Sequence, residues 1–141
     1  MRAPRFDHFV LVARDVEETV AFYSAVLGAE VQKLEAWRSG QAEYPILHFG
    51  GWKINVHAHD GDYRPVALER VPGSLDVCFS SGETIEETVH HLESLKVPIE
   101  FGPAAQAGAR GEGASVYFRD PDGNLLELIC YPDGNGDGDV A

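Results

Sequence analysis

Glu127 stands inside Leu125-Leu126-Glu127-Leu128-Ile129, a carboxylate flanked on both sides by apolar pairs. That run reads as a central strand, and a carboxylate placed there is costly to bury unless it is paired or binds a metal. An outward-facing glutamate on a one-sided sheet is the alternative that alternation permits. His8, at the head of Phe9-Val10-Leu11-Val12, offers an imidazole nitrogen, so the two side chains together are ligand types for a first-row divalent metal. Asp76, between Leu75 and Val77, and His57, closing Lys53-Ile54-Asn55-Val56-His57, are the further candidates. His57 lies two residues beyond Asn55 and shares its strand face, where it could supply a nitrogen, act as a base, or simply end the strand. His57-Ala58-His59-Asp60 also invites a separate metal site, but no second cluster lies near it in sequence.

The elements that must position these groups follow a simple order. Phe9 to Val12 is a short apolar strand, and Asp15 then caps a helix with Glu17 and Glu18 in its first turn, where the helix dipole favours negative charge. Val16, Val20, Tyr23 and Val26-Leu27 recur at helical spacing, and Gly28 stops the helix. Strand-like stretches follow at 30–37, 44–49 and 53–57, the last two joined by Gly50-Gly51. A polar connection at 60–73 contains Pro65 and Pro72. Beyond it come a strand at 75–79, a helix from Ile85 to Leu95 capped by Thr84, and a strand opening at 97–101. Strands at 115–118 and 124–131 are joined by Asp120-Pro121-Asp122-Gly123, a turn whose glycine suits a positive φ. The Gly/Ala-rich segment 104–113 is expected to be a mobile lid.

Val16-Glu17-Glu18-Thr19-Val20 reappears as Ile85-Glu86-Glu87-Thr88-Val89, within the same order of strands and helix. The reading is a duplicated α+β fold: two βαβββ modules, about 5–59 and 74–132, forming a curved, cleft-enclosing mixed sheet in one domain over 1–132. The repeat pairs His8 with Asp76 and Asn55 with Glu127. The tail 133–141, Asp-Gly-Asn-Gly-Asp-Gly-Asp-Val-Ala, has no apolar area to bury and is expected to be disordered. It lacks the closing glutamate of a calcium loop.

With 141 residues the chain suits one ordinary domain. Its formal net charge of −12 disfavours nucleic acid and anionic membranes as partners. No apolar run approaches the roughly 20 residues that cross a bilayer, and residues 1–8 run straight into a strand pattern, so a cytoplasmic location is expected. Two cysteines fit a reducing compartment. Cys78 shares a face with Asp76 and reads as a small buried hydrophobe, whereas Cys130 faces the other way, which argues against a disulfide.

Asp7-His8-Phe9-Val10-Leu11-Val12, Thr19-Val20-Ala21-Phe22-Tyr23 with Val26-Leu27-Gly28, and above all Phe118-Arg119-Asp120-Pro121-Asp122-Gly123-Asn124-Leu125-Leu126-Glu127-Leu128 carry a family resemblance. Over roughly 5–132 the chain resembles the vicinal-oxygen-chelate superfamily of glyoxalase I, bleomycin-resistance proteins, fosfomycin-resistance enzymes and extradiol dioxygenases. Lys53-Ile54-Asn55-Val56-His57 and Pro72-Gly73-Ser74-Leu75-Asp76-Val77-Cys78-Phe79 look like its glyoxalase-domain-containing protein 5 group. The resemblance implies metal positions on the first, fourth, fifth and last strands, here His8, Asn55, Asp76 and Glu127. Asn55 departs from the carboxylate of glyoxalase I; a neutral amide is a poor ligand and no base. The expected set is therefore His8, Asp76, Glu127 and His57 around a divalent ion (Ni, Zn, Mn, Fe or Co), with Glu127 and His57 as the catalytic candidates.

That resemblance implies a glyoxalase-like lyase or isomerase acting on a small vicinal-oxygen substrate such as a hemithioacetal, and a homodimer. An extradiol-type dioxygenase is one alternative and would need His57 in place of Asp76. A non-catalytic binder of small molecules or antibiotics is another, and metal-dependent attack on an antibiotic a third.

Overall fold

The computed structural model describes residues 1–133; most of the tail expected to be disordered therefore lies outside the described residues. The α+β class is found, as two four-stranded mixed sheets with few helices. The chain divides into two compact units, Met1–Ser74 and Leu75–Ala141.

The first unit runs β1 (His8–Ala13), α1 (Val16–Leu27), β2 (Glu30–Gln32), α2 (Leu34–Arg38), β3 (Ile46–His48) and β4 (Lys53–Ala58). Its sheet order is β1-β4-β3-β2, with β1 parallel to β4 and the other pairs antiparallel. Asp15 begins α1 because its carboxylate accepts the Glu18 amide at 3.0 Å, satisfying a donor the helix itself leaves open. Gly28 ends it at φ 72, a left-handed conformation in which a Cβ is costly. The buried stripe of α1, Val16, Thr19, Val20, Tyr23 and Val26, lies on the sheet. Leu11, Leu47, Ile54 and Val56, each no more than 2% exposed, form the sheet's contribution to that core. Each such side chain contributes roughly 1.5–3 kcal/mol on burial.

The second unit runs β5 (Asp76–Ser80), α3 (Ile85–Ser94), β6 (Phe101–Gly108), β7 (Gly111–Arg119) and β8 (Leu125–Cys130), in sheet order β5-β8-β7-β6. Again the first and last strands are parallel and the rest antiparallel. Thr84 and Glu87 form a reciprocal capping box at the start of α3. Thr88 and Leu92 are the buried residues of that helix, which packs on β7 and β8.

Three segments differ from expectation, the first being the strand expected to open over 97–101, which begins only at Phe101. The strand expected over 30–37 stops at Gln32, because Lys33 adopts a left-handed φ of 64 and a short helix follows. The expected lid is instead a β-hairpin, with β6 and β7 paired from Ala104↔Ser115 to Gly108↔Gly111. Its small residues reflect close packing: a Cβ on Gly113 would sit 2.8 Å from the Cys130 carbonyl oxygen. Side-chain size is limited there by the approach of β8, which accounts for the small residues of the hairpin.

Candidate functional site

Strand register sorts the candidate residues onto one face of each sheet. In the first unit, His8 is opposite Lys53, Val10 opposite Asn55, and Val12 opposite His57. These six side chains share the face turned away from α1, because their neighbours Leu11, Ile54 and Val56 form the core beneath the helix. In the second unit, Asp76 is opposite Leu125 and Cys78 opposite Glu127. The two frames coincide, since Lys53 stands two residues before Asn55 just as Leu125 stands two before Glu127. His8 and Asp76 thus hold equivalent positions, as do Asn55 and Glu127.

Glu127 is surrounded by donors. The Ser115 hydroxyl donates to its Oε2 at 2.6 Å. The Cys78 thiol and Tyr117 hydroxyl flank it from the strands on either side. Partial burial, reinforced by the neighbouring carboxylate, pushes the Cys78 thiol up to about 12 and holds the Tyr117 hydroxyl above its ordinary range. Cys78 is exposed on this face, so the expectation of a small buried hydrophobe fails. Cys130 is buried on the opposite face, where its sulfur is 3.3 Å from Thr88 Oγ1 beneath α3.

The turn that sets this register is itself braced. Asp120 Oδ1 accepts the backbone amides of Asp122 and Asn124 at 2.9 and 3.0 Å, and its Oδ2 accepts from the Asn124 side chain at 2.7 Å. Asn124 Oδ1 in turn accepts the Leu75 amide at 2.9 Å, tying the turn to the entrance of β5. The Asp-Pro-Asp-Gly-Asn sequence therefore aligns Tyr117, Glu127 and Cys78 on three adjacent strands. Ser115 and Tyr117 were not recognised from sequence. The signal was present, because a loop running from Arg119 to Leu125 places Tyr117 opposite Glu127.

In the first unit, His8 Nδ1 lies 2.6 Å from Asp7 Oδ1, which leaves Nε2 as its outward nitrogen. His57 is elsewhere. It lies four residues along β4 from Lys53, the partner of His8, a separation of about 13 Å, too far for both to reach one ion. It is also buried rather than closing an exposed strand end. Its ring stacks on Tyr63 at 3.9 Å and lies 4.8 Å from Tyr44. Burial, with the Arg70 guanidinium nearby and Glu43 opposing, lowers its pKa and so favours the neutral imidazole. Within the described residues, no three His, Cys, Asp or Glu side chains come together as a metal cluster, around His59 and Asp60 or elsewhere. The described chain contains no helix long and apolar enough to cross a membrane.

Residues 5–128 match the family model for the Glyoxalase/Bleomycin resistance protein/Dioxygenase superfamily. The chain belongs to this superfamily. Among similar proteins, Virulence protein STM3117 of Salmonella typhimurium is 38% identical over 127 residues, covering 90% of this chain and 84% of that protein. Its crystal structure superposes with a TM-score of 0.85 over 93% of this chain and 99% of that one. Glyoxalase domain-containing protein RDO1 of Mycosarcoma maydis is 37% identical, covering 90% of this chain and 68% of that protein. The fosfomycin resistance protein FosX of Listeria monocytogenes is 26% identical over 86% of this chain and 85% of its own length. A FosX crystal structure with Mn(II) and a dihydroxypropylphosphonic acid shares the fold at TM-score 0.60 and 22% identity, over 91% of this chain and 90% of that one.

In this member of the glyoxalase superfamily, several candidate groups have the chemistry of metal ligands without forming a cluster among the described residues. Asp7 bonded to the far nitrogen of His8 is the arrangement that fixes the tautomer of a ligating histidine. Asp76 is exposed one strand away from Glu127, on the same face. Asn55 contributes only a neutral amide at the position equivalent to Glu127.

Proposed function

We propose that the chain is a metal-dependent, glyoxalase-like lyase or isomerase acting on a small substrate with two neighbouring oxygens, a hemithioacetal being the first to test. His8, Asp76 and Glu127 are the residues proposed to hold the divalent ion, although among the described residues they are not assembled as a metal cluster. The observation that carries this reading is the 2.6 Å contact between His8 Nδ1 and Asp7, which presents Nε2 outward as a ligand requires. When bound, the ion supplies Lewis-acid polarisation of the substrate oxygens.

The remaining work falls to the chain's own residues. Ser115 fixes the orientation of the Glu127 carboxylate by hydrogen bonding, between the flanking Tyr117 and Cys78. Glu127 moves the proton between adjacent substrate carbons. His57 is outside this set, because the register separates it from His8. The same separation weighs against a ring-cleaving dioxygenase, which would need both histidines on one ion. A homodimer is part of this reading, and light scattering coupled to size exclusion should return twice the 15.4 kDa chain mass.

Elemental analysis of the purified protein, followed by a hemithioacetal isomerase assay with Ni, Zn, Mn, Fe or Co restored in turn, tests the proposal. Wild-type protein is expected to retain one of these metals and turn over substrate, and Glu127→Gln to lose both properties. Metal content and turnover unchanged in Glu127→Gln would overturn it.

A further inference from the structure

Two buried polar atoms in the first unit have no protein partner. They are Asn55 Oδ1 and His57 Nδ1, on residues only 4% and 8% exposed. A buried polar atom left unpaired is destabilising, and these two belong to residues two apart on the same face of β4. Nothing in the proposed metal set uses either one.

Their surroundings are apolar and aromatic. Asn55 is flanked in register by Val10 on β1 and Ile46 on β3, and His57 by Val12 on β1. Tyr44 and Tyr63 close around the imidazole. Val10 is 43% exposed, so the amide is bordered by an open edge rather than sealed by core. Two opposite charges act on the imidazole, those of Arg70 and Glu43. The Arg70 guanidinium is committed to the carbonyls of Ala58 and His59, and it lies over the Tyr63 ring.

The spacing indicates what would satisfy both atoms. Side chains two residues apart on a strand rise from Cα atoms about 6.6 Å apart. Two hydrogen bonds of about 2.8 Å, made at the roughly tetrahedral angle of a hydroxyl oxygen, let it bridge atoms up to about 4.6 Å apart, so the two side chains must lean toward each other from that Cα separation. A hydroxyl is the smallest group that both donates and accepts. It can donate to the Asn55 carbonyl oxygen while accepting from a neutral imidazole N–H. A carboxylate or phosphate has no proton for the amide oxygen, and burying its charge here would be costly.

We propose that Asn55 and His57 form a subsite for a single neutral hydroxyl on a small, apolar or aromatic ligand, of which phenol is the simplest case. The subsite lies wholly within the first unit. It refines the proposed small-molecule function and rests on that reading only for the ligand being a substrate; the hydroxyl recognition itself needs no metal.

The test is therefore run on chelator-treated protein. Phenol and toluene, which differ by the hydroxyl, are titrated while the 15N signals of the His57 imidazole are followed by NMR. Phenol is expected to shift the His57 resonances saturably and to bind at least fivefold more tightly than toluene. In Asn55→Leu the preference should fall to about one. Replacing an unpaired buried amide with an apolar side chain of similar size is close to neutral for folding, so this variant should melt near the wild type. His57→Phe, which keeps the ring stack, is the second variant and should lose the same preference. Equal binding of phenol and toluene, absence of any His57 response, or a preference that survives both substitutions would overturn the subsite. Each of these outcomes would assign the two atoms to a resident water. Failure of the metal reading shows separately, in the elemental analysis.

Discussion

The reactivity of Cys78 tests the geometry around Glu127 without any substrate. A thiolate, not a thiol, attacks an alkylating agent. At pH 8 a thiol with the ordinary value of 9.0 is about one-tenth thiolate, whereas one pushed up to about 12 is ionised to only about one part in ten thousand. Iodoacetamide should therefore modify Cys78 at least tenfold more slowly than a free thiol at the same pH, the exposed surface of Cys78 discounting the burial part of the shift. The shift is upward, so the neutral form is favoured, and the rate should climb about tenfold per pH unit through the alkaline range. Burial is the largest cause of the shift, followed by the charge of Glu127. Glu127→Gln removes the charge but leaves the burial, and should recover part of that factor. Peptide mass spectrometry after timed quenching, in the presence of chelator, separates Cys78 from Cys130, which is only 5% exposed. Wild-type Cys78 reacting at the free-thiol rate, or identical rates in the two proteins, would refute the placement of the thiol beside the carboxylate.

Asn124→Ala should destabilise the protein by about 2–4 kcal/mol in urea unfolding, because it strips one partner from Asp120 and another from the Leu75 amide. Thr84→Ala removes one half of the capping box on α3 and should cost about 1 kcal/mol by the same measurement. Asp7→Asn takes the charge from the partner of His8 and should weaken metal affinity by about ten- to a hundredfold in a competition titration, with little change in melting temperature.

Much of the arrangement was legible in the residues because local chemistry and pairing register agree. Asp15, Thr84 and Gly28 announce helix ends by capping geometry, and the Val-Glu-Glu-Thr-Val repeat set the two modules in correspondence. What escaped was decided by neighbours in space. The backbone reversal at Lys33 converts half an expected strand into a helix, although lysine carries no turn signal. In the sequence the glycines and alanines of β6 and β7 leave no apolar pattern, and only the structure shows that Gly113 is small because β8 approaches it. Proximity in sequence suggested that His57 could join His8, and only the parallel register of β1 with β4 shows how far apart they stand. Ser115 went unnoticed because a serine becomes informative only once the strand opposite it is known.

The parallel pairing of first and last strands also has a consequence for how the chain is made. β1 leaves the ribosome early but finds its partner only after β4 has been synthesised, and β5 must wait in the same way for β8. Until then each lone strand is an unpaired edge, open to pairing with another chain. The same pairing makes β1 the cover for β4. Deleting residues through Ala13 would turn an interior strand bearing Asn55 and His57 into a free edge, and the truncated protein should aggregate rather than merely lose activity.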